Sequence, residues 1–337
     1  MGTITPNTSN SDQLANAQAA VQLCAAASAT STSNPINEFG TLMPGWKIVW
    51  NGKQTIDCNY AFVAQNSNGD YALAIRGSVP PFGSYNDWDV FANWVLEDLD
   101  VLTMSQWSFA STPKPLISTG ASIAFANLLF MTDTLGSNQF ITDFLLANTV
   151  GNGKQLIITG HSLGGNIASV FTSYYVEILK KKGQSTNNIS LYTFAAPAAG
   201  NADFATDLDA KLPTAWHYEN VNDLVPKFPV FGGIVLTSLM YLPQPEAADI
   251  NLSYKGHDMS LREAFLLLAG VLLTQGYQQP VNNYTVFNNE LDPKFESNTV
   301  SAWFGQAGSQ HQITNYAKYL GVKLPVSLAK KPLVETV

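Results

Sequence analysis

The stretch Lys154-Gln-Leu-Ile-Ile-Thr-Gly-His-Ser-Leu-Gly-Gly165 joins a short apolar β run to a helix through a turn built almost without side chains. Lys154 to Thr159, with Leu-Ile-Ile at its centre, reads as a strand. After the turn, Ile167, Val170, Phe171, Tyr174, Tyr175 and Ile178 recur at i, i+3, i+4, i+7, i+8 and i+11, the stripe of a one-faced helix. Between them Gly160-His161-Ser162-Leu163-Gly164 fits G-x-S-x-G. In that spacing the serine sits on a tight, strained strand-to-helix turn that lifts its Oγ above the sheet. The helix N-terminus then points at any negative charge developing there. A plain glycine-rich βα turn is the blander reading. The strand directly before and the helix directly after favour an exposed nucleophile, Ser162. His161 diverges from its neighbour at such a turn and is expected to pack as a structural residue.

Outward from this turn the chain alternates. Residues 12 to 29 are Ala-rich without Pro or Gly and read as a helix. Asp57 to Ala64 and Tyr71 to Arg76 flank Asn66-Ser-Asn-Gly-Asp70 and read as a hairpin. A helical pattern covers Asp89 to Val101, and one or two helices fall within residues 116 to 149. Ser190 to Phe194 and Ala215 to Val221 are further strands, with Asp203, Asp207 and Asp209 on a helix between them, expected to be solvated. Alternating strands and helices predict a mainly parallel central sheet flanked by helices, in one domain over residues 1–337. Residues 228 to 300 break the rhythm with apolar loops and one apolar helix over 261 to 275. A last helix lies near His311 to Leu320.

A serine nucleophile needs a base, and the base needs a group that fixes its tautomer. On an α/β-hydrolase fold the chain order is Ser, then Asp or Glu, then His. Asp223 follows the strand ending at Val221, where the acid belongs; Asn-Asp before a Pro is also ordinary turn chemistry, and both roles can coincide. Only His257 and His311 lie beyond it. A late loop returning to the sheet edge favours His311, with His257 the alternative.

Composition removes other classes. Net charge is -8 with charged residues at 12%, and the only basic block, Lys180-Lys181-Lys182, closes a helix. That excludes the basic footprint of a nucleic-acid binder. The four histidines have no zinc spacing, so neither metal nor cofactor is expected. Cys24 and Cys58 fit two buried thiols or a single bridge from the first helix to the first strand. The apolar runs Phe228–Leu242 and Ala264–Leu273 fall short of the roughly 18–20 residues that span a bilayer. The start, Met1-Gly-Thr-Ile-Thr-Pro, carries no visible signal peptide. These features suggest a soluble protein, with a lean towards one secreted after signal removal. Oligomeric state is not legible.

Several segments together resemble one family. Gly-His-Ser-Leu-Gly-Gly165 is similar to the nucleophile region of class 3 (fungal-type) triacylglycerol lipases, Ala74-Ile-Arg-Gly-Ser78 to their oxyanion loop, and Asn93-Trp94 to Asp98-Leu99 to their lid. Thr193 to Asn201 with Phe204, Asn222-Asp223-Leu-Val-Pro226, and His311 followed by Tyr316 also match. The resemblance implies an α/β-hydrolase fold with a lid over about 79–96, whose Trp88, Phe91 and Trp94 face the site or a lipid surface, or else lie in the core. It implies Ser162, Asp223 and His311 as catalytic residues, with Ser78 and Leu163 forming the oxyanion hole. The implied substrate is an acylglycerol, a triacylglycerol first of all, met at an oil–water interface. A carboxylesterase or phospholipase A1 would use the same machinery, and a catalytically silent binding scaffold is the contrasting class. The chain departs from the family in a long Val79–Asn93 loop, in Ala198 where a basic residue is usual, and in the insertion of about 228–300 before His311.

Overall fold

The computed structural model describes residues 10–29, 39–40, 43–55, 59–76, 100–254 and 256–324. The expected lid, Ser78 and Cys58 lie outside them. Of the helix expected over 89–101 only Asp100 and Val101 are described, and neither is helical.

In chain order the elements begin with α1 (Asn10–Ala29), β1 (Trp46–Asn51), β2 (Tyr60–Asn66), β3 (Tyr71–Arg76), β4 (Met104–Gln106) and β5 (Leu116–Ser118). Then come α2 (Thr119–Leu129), α3 (Ile141–Thr149), β6 (Leu156–His161), α4 (Leu163–Lys181), β7 (Ile189–Phe194), α5 (Ala202–Lys211) and β8 (Ala215–Asn220). The last third holds α6 (Phe231–Thr237), β9 (Asn251–Tyr254), β10 (His257–Ser260), α7 (Leu261–Leu272), β11 (Tyr284–Phe287), α8 (Val300–Gln310) and α9 (Ile313–Tyr319).

Seven strands form one sheet in the order β1-β2-β3-β6-β7-β8-β11. β1, β2 and β3 pair antiparallel; every pairing from β3 to β11 is parallel. The chain thus has the α/β-hydrolase-type fold. The period-2 alternation of the strands sorts their side chains between two cores. Val63, Leu73, Ile75, Leu156 and Ile158 face the layer that holds α4. Phe62, Ala64, Ala72, Ala74 and Ile157 face α1 and α9. Alanines on β2 and β3 let α1, itself lined by Ala17, Ala20, Val21, Ala26 and Ala27, sit close to the sheet. Leu23 alone contributes about 2 kcal/mol by its burial. Cys24 is a buried free thiol 3.2 Å from Thr159 Oγ1 on β6. On α4, Ile167, Val170, Phe171 and Tyr175 of the predicted stripe are buried.

The insertion is more ordered than its sequence indicates. Besides α7, over the expected helix, it supplies α6, a β9–β10 hairpin and β11, which extends the main sheet at its far edge. The aspartates of α5 are fasteners rather than solvated charges. Asp207 is buried, pairs with Lys211 at 2.8 Å and accepts the Ser111 N–H. Asp203 accepts the Lys114 N–H, and Asp209 those of Val281 and Asn282. Loops distant in sequence pack on this helix, which its own periodicity cannot reveal. No helix among the described residues is long and apolar enough to cross a membrane.

Candidate active site

β3, β6 and β7 end level with one another, and β8 runs two residues further. Arg76, His161 and Phe194 share one register position, and Phe194 pairs with Tyr218. At this carboxyl edge of an open parallel sheet, side chains beyond the strand ends converge on one crevice.

Ser162 caps α4 with φ 58° and ψ -134°, a left-handed conformation costing about 1–3 kcal/mol for a residue with a Cβ. Its N–H donates to Phe194 O at 2.9 Å, and its carbonyl accepts from Gly165 N–H, also 2.9 Å. A Cβ on Gly160 would lie 2.1 Å from the Gly164 carbonyl oxygen, and one on Gly165 would lie 2.7 Å from Ala196 Cβ. Gly160 and Gly165 are therefore the glycines that let helix and strand close on the turn. Leu163, buried, opens α4, and a first helical N–H has no intrahelical acceptor.

His311 lies in the joint between α8 and α9, where its N–H closes α8 on Ala307 O. Its side chain reaches both other predicted residues: Nε2 is 2.8 Å from Ser162 Oγ and Nδ1 is 2.8 Å from Asp223 Oδ2. A carboxylate only accepts, so Nδ1 carries the proton and Nε2 presents a lone pair to the serine O–H. His257, the alternative, sits exposed on β10. Asp223 is fully buried three residues past β8. Oδ1 accepts the Val225 N–H at 2.9 Å, and Oδ2 accepts the Tyr316 O–H at 2.7 Å as well as the His311 bond. Burial pushes its carboxyl up, but His311, Tyr316 and the Val225 N–H together outweigh that and hold it below the usual carboxylate range. The Tyr316 phenol is pushed well above 10 by burial and by Asp223, so it stays a donor.

His161 packs as expected, but it also touches His311. Its Nε2–H donates to the His311 carbonyl at 2.9 Å, and the two rings lie 4.7 Å apart. Desolvation and the neighbouring His311 push its pKa down to about 3. Buried His217, bonded to Thr193 Oγ1, is likewise pushed down to about 4 by burial. Both are neutral in the folded chain yet protonate below about 6.5 when unfolded, so the unfolded state binds more protons across that window. Their contribution to stability is complete above about 6.5 and is expected to be lost progressively as pH falls from there, down to about 4 for His217 and about 3 for His161. Urea midpoints measured from pH 7 to 4 check this, and His217→Asn should flatten the fall.

Residues that sequence reading did not single out surround the loop that carries Asp223. Asn220 Nδ2 donates to the Gln310 carbonyl and to its Oε1 (3.1 and 2.9 Å). The insertion contributes Asn289, whose N–H donates to Asn220 Oδ1, and Asn288, which accepts from Asn222 Nδ2. Val221 N–H donates to Phe287 O at 2.8 Å. The stretch from Phe228 to Val300, which offers no chemistry as sequence, thus clamps the acid loop from its outer side. Nothing in its composition signals this. Among the described residues no group of three or more His, Cys, Asp or Glu is placed to hold a metal ion.

The sequence profile of the lipase (class 3) family matches residues 103–232, a segment that holds Ser162 and Asp223 but not His311. A secreted mono- and diacylglycerol lipase of Fusarium solani is 34% identical over 88 residues, 26% of this chain and 24% of that one. The chloroplastic phospholipase A1-Igamma3 of Arabidopsis thaliana is 23% identical over 193 residues, 53% of this chain and 34% of that one. The chain spans about a quarter to a third of the length of these curated relatives. Among solved structures, M37 lipase superposes with a TM-score of 0.74 at 21% identity, covering 94% of this chain and 96% of its own. Lipase II from Rhizopus niveus gives 0.50 at 17% identity, covering 67% and 78%. These superpositions establish the shared fold.

Proposed function

We propose that this chain, which belongs to the class 3 lipase family, is a serine ester hydrolase that cleaves carboxylic esters of lipids through an acyl-enzyme on Ser162. One observation carries the reading: the unbroken run of 2.8 Å contacts from Ser162 Oγ through His311 to buried Asp223. In this reading the Ser162 oxygen attacks the ester carbonyl as His311 Nε2 takes its proton. Asp223 keeps Nδ1 protonated and stabilises the imidazolium. His311 then protonates the departing alcohol, and a water repeats the cycle to release the acid. The Leu163 N–H, with the dipole of α4, stabilises the oxyanion, joined by Ser78 on the family's pattern.

The substrate class draws support from the insertion. Leu236 on α6, Leu239 and Leu242 just after it, and Leu266, Leu267 and Val271 on α7 are exposed apolar side chains. Such side chains suit a substrate offered by a lipid interface. The Fusarium relative is named a secreted lipase, and secretion is carried over as part of this proposal. The proposed domain is the whole chain, with the insertion as part of it. With nitrophenyl esters of rising chain length, kcat/KM is expected to climb from acetate towards octanoate and beyond, and a phosphonate should add one equivalent to Ser162. A peak at acetate would indicate a carboxylesterase. Preference for a diacyl phospholipid would indicate a phospholipase A1. Inactivity on every ester, with no phosphonate adduct, would leave a binding scaffold and end the proposal.

A further inference from the structure

Below the acid loop lies an ion pair that the proposed chemistry does not use. Glu219 is on β8, and Lys227 ends the 3₁₀ turn Val225–Lys227 that follows Asp223. Lys227 Nζ donates to Glu219 Oε1 at 2.7 Å and to the backbone carbonyl of Asp223 at 3.2 Å. The other Glu219 oxygen, Oε2, accepts the O–H of Tyr284, the first residue of β11, at 2.7 Å. The Lys227 side chain is 8% exposed and that of Glu219 15%. A pair so enclosed gains little net stability, because desolvating both charges offsets their attraction. Its geometry serves position instead. Lys227 grips the residue that orients the base, Glu219 cancels its charge, and Tyr284 fixes Glu219 from the insertion.

We propose that Glu219 and Lys227 are positioning residues for the acid of the triad: the lysine fixes the backbone of Asp223, and the glutamate keeps the lysine's charge from reaching His311. The proposal rests on the triad reading above. Around Asp223 and His311 the described titratable groups are His161, Tyr241, Tyr284, Tyr316, Glu219 and Lys227. Burial and Asp223 lift Tyr241 and Tyr316, and burial and Glu219 lift Tyr284, so all three remain phenols. His161 is neutral above about 3. Of these groups only the two members of this pair carry a charge at neutral pH, and removing either one unbalances the other.

The experiment compares Lys227→Met, Glu219→Gln and the double variant by the pH profile of kcat/KM on a nitrophenyl ester. It also follows the imidazole titration of His311 by NMR in a Ser162→Ala background, which needs no turnover. Lys227→Met leaves an anion that favours the imidazolium, so the acid limb and the NMR midpoint are expected to rise by about 0.5–1 pH unit. Glu219→Gln leaves a cation and should lower both by a similar amount. The double variant should return both to the wild-type position. It should nevertheless keep kcat roughly tenfold low at unchanged KM, because the grip on the Asp223 carbonyl is gone. Lys227→Arg, which keeps charge and donor, should rescue kcat. Variants that melt earlier with limb, midpoint and kcat unmoved would make the pair merely structural and overturn the proposal. If the single variants do not fold, the charge-neutral double variant is compared with Lys227→Arg: a kcat deficit in the double variant that the arginine variant does not share supports the proposal, and equal kcat in both overturns it. An inactive wild type whose NMR midpoint still shifts in opposite directions would sink the hydrolase reading but leave the electrostatic link. A midpoint that stays put in an active enzyme would sink this inference alone.

Discussion

Ser162→Ala is expected to lower kcat/KM on nitrophenyl and acylglycerol esters by about 10⁴-fold or more while the protein stays folded. The Oγ is the one atom of that side chain in the hydrogen-bond run to His311, so its removal leaves the base and acid in place without a nucleophile. Residual turnover would reflect binding and the oxyanion donors alone. Alanine keeps a Cβ, so the strain at φ 58° persists and the melting temperature should barely move. Ser162→Gly separates the two roles: equally inactive, but relieved of the left-handed penalty and more stable by up to about 1 kcal/mol. Stopped assays alongside calorimetry check both. Wild-type turnover in the alanine variant would remove Ser162 from the mechanism.

The second large effect concerns the acid. Asp223→Asn preserves shape and volume in a fully buried position, yet it should cost about 10⁴-fold in kcat near neutral pH. Oδ1 holds the Val225 N–H, which needs an acceptor. The amide oxygen therefore stays there, and the NH₂ group is turned towards His311 Nδ1 and the Tyr316 hydroxyl, where Oδ2 now accepts two bonds. A donor facing Nδ1 forces the proton onto Nε2, which then meets Ser162 as a donor and no longer accepts its proton. KM should change little, since the substrate does not reach a buried carboxylate. His311→Ala is expected to match this loss, and His257→Ala on its exposed strand to leave rates within about twofold of wild type. Loss of turnover in His257→Ala alone would reverse the assignment of the base.

The turn, the sheet and the nucleophile candidate were legible because their signals are local. Gly160 is demanded by an approach that only a missing Cβ permits, and the strand and helix on either side announce themselves by period. The predicted strand ends are displaced by at most three residues from those of β2, β6, β7 and β8. Asp223 was legible as the candidate acid by its place, just past a strand at the edge where Ser162 stands. The insertion was not. Tyr284-Thr-Val-Phe287 is a run of four β-formers between asparagines, so β11 did carry a local strand signal that went unread; what the sequence does not show is that β8 offers the edge it pairs with. α8 was missed as well, and with it the joint that carries His311. Asp203, Asp207 and Asp209 read as solvated because a helix wheel shows which residues share a face, not which loops will cover it.

By itself the sequence determined a parallel α/β sheet with a strained serine turn at its carboxyl edge, since sterics and periodicity act over a few residues. Tertiary structure alone decided which histidine stands beside Ser162, 149 residues away, and that the insertion's Asn289 and Tyr284 brace the acid loop through Asn220 and Glu219. Those contacts depend on where strands end in space. A side chain's chemistry states what it can bond to, but only the packed chain brings the partner within 3 Å.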